Sequence, residues 1–136
     1  MSILLIRHAL AGDPEEWQGD DRVRPLDERG RRQAGALVDA LAEFPLERII
    51  SSSYVRCVQT VEPLAEVRGL EIELDGQLEA ERLEEVPEVL ERLRGESVAV
   101  CTHGDLPWLG DRKFEKGSTW VLNDELRPDR YIAPRA

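Results

Sequence analysis

Ile3-Leu4-Leu5-Ile6-Arg7-His8 is the stretch on which the fold of this chain turns, and it has an echo at Val98-Ala99-Val100-Cys101-Thr102-His103. Both are short apolar runs without polar alternation, the pattern of strands buried on both faces of a parallel sheet. Each runs directly into a histidine, and the chain has only 2 histidines. Parallel strands end along one edge, where open α/β sheets bind ligands. His8 and His103 are therefore expected to face one site. A single histidine at a strand end is equally a turn cap or a satisfied polar group; the pair, with Arg7 beside it, reads as an active site.

Working outward, Ser2 to Ile6 is the first strand and Arg7 to Pro25 a long polar loop, turn-rich at Gly12-Asp13-Pro14 and Gly19-Asp20-Asp21. Loops of that length in compact domains are usually functional. A helix is expected from Asp27 to about Phe44-Pro45, with Ala34, Leu37, Val38, Leu41 and Ala42 on its packed face. Arg48 to Ser51 is a second strand. Ser51-Ser52-Ser53 offers an N-cap for a helix that carries Arg56 and stops at Gly69, with Pro63 expected to kink or divide it. Leu70 to Leu74 alternates as an exposed edge strand does.

A loop with Glu79 and Glu81 leads into an acidic amphipathic helix, Glu84 to Leu93. Beyond His103, Thr119 to Leu122 is the last or penultimate strand, Tyr131-Ile132 offers one more pairing, and Asn123 to Ala136 is expected to fray. This order implies a single α/β domain over residues 1–136, a three-layer α/β/α sandwich with a mostly parallel sheet and an antiparallel edge strand.

The formal charge of −10 argues against a partner such as a nucleic acid polymer, whose phosphates require a broad basic surface. A small anion is still admissible where arginines gather locally. No apolar run has the length of a signal-peptide core or a membrane span, so the chain is expected to be cytoplasmic and free of membrane. Cys57 and Cys101 read as small core residues rather than a disulfide framework or a zinc site, and no metal or cofactor is expected.

Four motifs in order carry a family resemblance: Leu4-Leu5-Ile6-Arg7-His8-Ala9; Arg24-Pro25-Leu26-Asp27-Glu28-Arg29-Gly30-Arg31-Arg32-Gln33-Ala34; Ser51 to Thr60, with Arg56 and Gln59-Thr60; and Thr102-His103-Gly104. They resemble the histidine phosphatase superfamily, whose fold is phosphoglycerate mutase-like, with Ser53 where the family usually has proline. The short, lid-poor SixA-like branch is the nearest likeness. Gly19 to Asp27 and Lys116 to Leu122 are also similar to the histidine-phosphatase domain joined to Nudix hydrolases in actinobacterial proteins, of which this chain is expected to be a free-standing version.

The resemblance implies a metal-independent hydrolase working through a phosphohistidine intermediate on His8. Its substrate would be a protein phosphohistidine or a small phosphorylated metabolite. A nucleotide phosphatase, or a catalytically silent phosphate-binding or partner-docking module, is the alternative. The chemistry asks for the same residues. An imidazole nitrogen at a strand end can attack phosphorus while the other ring nitrogen bonds a backbone carbonyl. Arg7 and Arg56 can grip the phosphoryl oxygens and keep His8 unprotonated, and His103 can donate to the same group. Arg56 lies in the first turn of its helix, the wrong end for a cation, which favours a functional role.

Arg22 and Arg24 are either solvated loop residues or grips for a remote phosphate, and Trp17 either closes the mouth or packs the loop. Longer relatives carry a glutamate as proton donor in a Leu-x-Glu setting. Leu78-Glu79-Ala80-Glu81 places Ala80 there, which leaves Glu81 as the first candidate and Glu79 as the second. SixA-like members are expected to lack this acid, which suits a phosphohistidine substrate.

Overall fold

The computed structural model describes residues 1–135. Its strands are β1 (Ile3–Arg7), β2 (Arg48–Ser51), β3 (Ile72–Leu74), β4 (Val98–Thr102), β5 (Thr119–Leu122) and β6 (Pro128–Ile132), and its helices are α1 (Glu28–Ala40), α2 (Val55–Arg68) and α3 (Val86–Leu93). Short 3-10 turns fill the loops at Asp21–Val23, Gly76–Leu78, Ala80–Glu85 and Pro107–Leu109. The strands form one sheet in the order β3-β2-β4-β1-β5-β6. β1 to β4 pair in parallel, and β5 and β6 close one side antiparallel.

Side-chain alternation along β1 builds the three layers. Leu4 and Ile6 join the core made with α1 and α2, through Leu37, Leu41, Val61 and Leu64. Ile3 and Leu5 point the other way, into a core with Val86, Val89, Leu90 and Leu93 of α3. β1 and β4 are thus covered on both faces, which is why both read as unbroken apolar runs. Their register pairs Arg7 with Thr102, so the chain leaves both strands side by side at His8 and His103.

Three local expectations need correction. Pro63 does not divide α2, which continues to a left-handed Gly69 at φ 67°; Val61, Leu64 and Ala65 stay buried on either side of the proline and hold both halves in place. The serines do not provide the N-cap: Tyr54 occupies that position, and Ser52 Oγ accepts its backbone N–H at 3.3 Å instead. The C-terminal segment is not frayed over Pro128–Ile132, because it pairs with β5 and Tyr131 packs on Trp120 at 5.0 Å between ring centroids. Among the described residues no helix is long and apolar enough to cross a membrane.

Candidate active site

His8 is 6% exposed and its ring is fixed from behind. Its backbone N–H donates to Thr102 O at 3.0 Å, tying the ends of β1 and β4 together. Its Nδ1 lies 2.8 Å from Ala9 O. A carbonyl only accepts, so Nδ1 carries the proton and Nε2 keeps its lone pair. Burial, with His103, Arg56 and Arg7 nearby, lowers the His8 pKa to about 3, so the ring is neutral throughout the physiological range. The Ala9 peptide is held in turn by Thr60 Oγ1, which accepts the Ala9 N–H at 2.9 Å and donates to Arg56 O at 2.6 Å.

His103 meets His8 edge to face, with centroids 5.3 Å apart. Ser52 Oγ stands 3.0 Å from His103 Nε2. That hydroxyl also accepts the Tyr54 N–H, and Cys57 Sγ lies 3.5 Å from the same ring nitrogen, so Nε2 is the partnered side of the imidazole. His103 Nδ1 is buried and has no partner among the described residues.

The two guanidiniums are anchored along one side each. Arg7 donates from Nη1 to Phe114 O at 2.6 Å, and Arg56 from Nη1 to Asp21 O at 2.9 Å and from Nη2 to Asp21 Oδ2 at 3.1 Å. The Nε of each is buried without a partner. The structure therefore brings His8, His103, Arg7 and Arg56 together.

The remaining candidates divide. Arg22 stands at the rim and splits its guanidinium between Glu79 Oε1 at 2.9 Å and Glu81 Oε1 at 2.8 Å. Glu81 accepts a second bond from the Tyr54 hydroxyl, and that bond and Arg22 hold its pKa below the ordinary carboxylate range. Glu79 accepts from the Ser53 hydroxyl. Arg24 is 7% exposed and spends its donors within its own loop, on Ala11 O at 2.7 Å and Asp21 Oδ1 at 2.9 Å. Trp17 packs that loop, donating from Nε1 to Asp20 O at 2.9 Å, and lines a cleft of about 240 Å³ with Arg24 and Pro25.

Tyr54 and Asp21 escaped the sequence reading. The Tyr54 ring lies edge-on to His103 at 4.7 Å and has the guanidiniums of Arg22 and Arg56 at 5.0 and 4.8 Å from its centroid. Asp21 links Arg24 to Arg56. Neither sits in a periodic pattern, and the only available signal was their closeness in sequence to Arg22 and Arg56. Among the described residues no group of three or more His, Cys, Asp or Glu is placed to hold a metal ion.

Comparison with known proteins identifies a family. The model of the histidine phosphatase superfamily (branch 1) matches residues 3–83. An 8-oxo-(d)GTP phosphatase of Mycolicibacterium smegmatis is 36% identical over 161 aligned positions, which cover 98% of this chain and 48% of that protein. The chain thus spans about half the length of that relative. Among solved structures, the protein histidine phosphatase SixA complexed with tungstate superposes with a TM-score of 0.80 at 21% identity, over 98% of this chain and 97% of that one. A mycobacterial glucosyl-3-phosphoglycerate phosphatase superposes with a TM-score of 0.71 at 16% identity, over 98% and 95%. Those two share the fold, and the family match reaches from β1 through the Arg56 helix: the chain belongs to branch 1 of the histidine phosphatase superfamily.

Proposed function

We propose that this chain is a phosphatase that transfers the phosphoryl group of a nucleotide to His8 Nε2 and then to water. One observation carries the chemistry. Five buried side-chain N or O atoms lack a partner among the described residues, and three of them, Arg7 Nε, Arg56 Nε and His103 Nδ1, belong to the residues around His8. Buried polar groups are nearly always satisfied in folded proteins, so two orphaned guanidinium N–H donors and the open His103 Nδ1 around one free imidazole lone pair support a receptor for an anion. In the first step Nε2 forms a bond to phosphorus while the bond to the leaving oxygen breaks, its electron pair staying on that oxygen. The arginines and His103 stabilise charge on the transferring oxygens. Water then attacks the phosphohistidine, releasing phosphate and restoring His8. The four residues are complete, which favours this reading over a silent docking module.

The nucleotide as substrate class is supported by the 36% identity to the relative named for 8-oxo-(d)GTP, which extends over nearly the whole chain. A protein phosphohistidine is the second reading, favoured by the short connection from β4 to β5, which holds one 3-10 turn and leaves the mouth open. The test begins with para-nitrophenyl phosphate in excess chelator, wild type beside His8→Ala, with acid-labile phosphoenzyme trapped by rapid quench. Turnover and label that vanish together in the variant support the mechanism. Phosphate release from nucleotides and from a phosphohistidine peptide then decides the substrate: a preference for the peptide sinks the nucleotide reading.

A further inference from the structure

The cleft beside the long first loop takes no part in the chemistry at His8, and its lining is unlike that of the phosphoryl pocket. Its walls are Ala11, Pro25, Leu26 and the ring of Trp17, and its rim carries Asp13, Glu16 and Asp27, around a volume of about 240 Å³. Trp108 and Trp120 pack against the α3 core, whereas Trp17 joins no core cluster and is 36% exposed. The bond from its Nε1 to Asp20 O fixes the ring while leaving its face open to the cleft. Arg24, the one cation of the lining, turns Nε to Asp21 and Nη1 to Ala11 O. An anion entering here would meet three carboxylates and a guanidinium already engaged, so the cleft suits a flat, neutral group with hydrogen-bond donors at its edge.

The three carboxylates are not equivalent. Asp27 is spent on the backbone N–H groups of Gly30 and Gly12, at 2.7 and 3.2 Å. Asp13 accepts the Glu15 N–H with one oxygen. Glu16 is bonded through its own N–H to Asp13 O at 3.1 Å, and its carboxylate has no partner among the described residues. The cleft also adjoins the phosphoryl pocket. Ala11 lies three residues beyond His8, at most about 11 Å along the chain. Arg24 is the partition between them, since the Asp21 that it holds also binds Arg56, at 3.1 Å.

We propose that the Trp17 cleft is the nucleobase subsite of the enzyme, with Trp17 stacking on the base and Glu16 selecting guanine. Guanine presents a ring N–H and an amino group side by side on one edge, and the two oxygens of a carboxylate accept both at once. Adenine offers an amino group beside a bare ring nitrogen, whose lone pair faces the second oxygen. Stacking supplies affinity for any base, and the carboxylate supplies the choice among them. This inference rests on the nucleotide reading and names the part of the nucleotide that the phosphoryl pocket does not hold.

The experiment follows the indole N–H signals of the nitrogen-15-labelled protein while guanosine, which carries no phosphate, is added. The chain has 3 tryptophans, and the Trp17 signal is the one missing from Trp17→Phe. Guanosine is expected to shift that signal saturably. Inosine, which lacks the amino group, and adenosine should bind on the order of 10-fold more weakly, the scale of one lost hydrogen bond to a charged group. Glu16→Gln removes no internal contact of the carboxylate, and in it the preference for guanosine should disappear. Turnover gives the second readout. In Trp17→Ala, kcat/KM for guanosine triphosphate relative to para-nitrophenyl phosphate is expected to fall on the order of 10-fold, the scale of a lost base–aromatic stack, and Trp17→Phe should recover most of it. An unchanged ratio in Trp17→Ala would overturn the proposal, as would equal binding of the three nucleosides by the wild type. So would a Trp17 signal that answers to arginine amide and not to guanosine, which would assign the cleft to a cationic side chain of a protein. Guanosine binding at Trp17 without turnover of any nucleotide, by contrast, would keep the base-binding cleft and remove the nucleotide phosphatase reading.

Discussion

Gly104 presses against the Arg7 guanidinium so closely that a Cβ at position 104 would overlap Arg7 Cζ, Nε and Nη2. Arg7 is held at its other side by Phe114 O, so it cannot swing away without losing that bond. Glycine at 104 is therefore a requirement of the arginine's position, since the β4 exit passes directly behind the guanidinium. Gly104→Ala is expected to fold, as the overlap is with a side chain, and to lower kcat/KM by roughly 10²-fold, the scale of an ångström's misplacement of a positioning group. Steady-state kinetics together with a thermal melt separate the two effects. Wild-type activity in this variant would show that Arg7 does not need its present place.

Thr60 supports the nucleophile from one residue away. Its hydroxyl takes the Ala9 N–H, and the Ala9 carbonyl takes the His8 Nδ1 proton. Thr60→Val keeps the volume but leaves the Ala9 N–H buried and unpaired, at a cost of about 1–3 kcal/mol of stability. The same variant is expected to lose kcat more than KM worsens, because Nε2 is no longer aimed. Thr60→Ser keeps the oxygen and should recover both. Chemical unfolding and kinetics on the three proteins check this, and a serine variant as damaged as valine would place the effect in packing instead.

What the sequence revealed, and what it hid, follows from distance along the chain. His8 and His103 were legible because double-sided burial turns β1 and β4 into bare apolar runs, and a polar residue at the end of such a run stands out. Arg56 was legible because a cation in the first turn of a helix runs against the helix dipole. Tyr54 stood only within the Ser51 to Thr60 motif and Asp21 only in a turn, because Tyr54 draws its meaning from Glu81 and His103, and Asp21 from Arg56, all brought near by tertiary folding. Arg22 and Arg24 looked alike in sequence. The structure parts them, since Arg24 turns inward to Ala11 O while Arg22 reaches across to a different loop. Pro128 and the charges around it masked the start of β6, of which the sequence offered only Tyr131-Ile132, because the pairing rests on Trp120 and Tyr131 rather than on an apolar run.

Two glycines of α1 make opposite predictions. Gly30 faces the long first loop, where a Cβ would overlap Leu10 O and stand 2.8 Å from Leu10 C. That carbonyl accepts the Asp27 N–H at 3.0 Å, so loop and helix start are tied at the contact. Gly30→Ala is expected to destabilise by about 1–3 kcal/mol of overpacking, against which the helix-propensity gain of up to about 1 kcal/mol is smaller. At Gly35 a Cβ meets nothing within 4 Å. Gly35→Ala should therefore stabilise by about 0.5–1 kcal/mol. Urea midpoints of the pair test both, and equal shifts would contradict the close approach at Leu10.

The pH dependence of stability isolates His8. Its folded pKa of about 3 lies below the ordinary value of 6.5 because burial disfavours the charged ring. As pH falls below 6.5 the unfolded chain binds a proton at this position that the native state refuses, so the native state loses stability, and the loss continues until the native ring also protonates near pH 3. Above 6.5 the contribution is fully present. Between pH 7.5 and 5.0 this amounts to about 2 kcal/mol, from a limiting slope of about 1.4 kcal/mol per pH unit. Glu85, held to about 2 by Arg82 and Gln77, loses its contribution only below its unfolded value near 4.5, outside this window. Urea unfolding of wild type and His8→Gln at pH 7.5 and 5.0 should therefore show the wild type losing about 2 kcal/mol more than the variant. The same neutral ring predicts that kcat/KM for a substrate of fixed charge shows no acidic limb from His8 down to pH 5. Parallel stability curves for the two proteins would mean that His8 protonates in the native state near its ordinary pKa, and that the arginines and burial do not keep the nucleophile free.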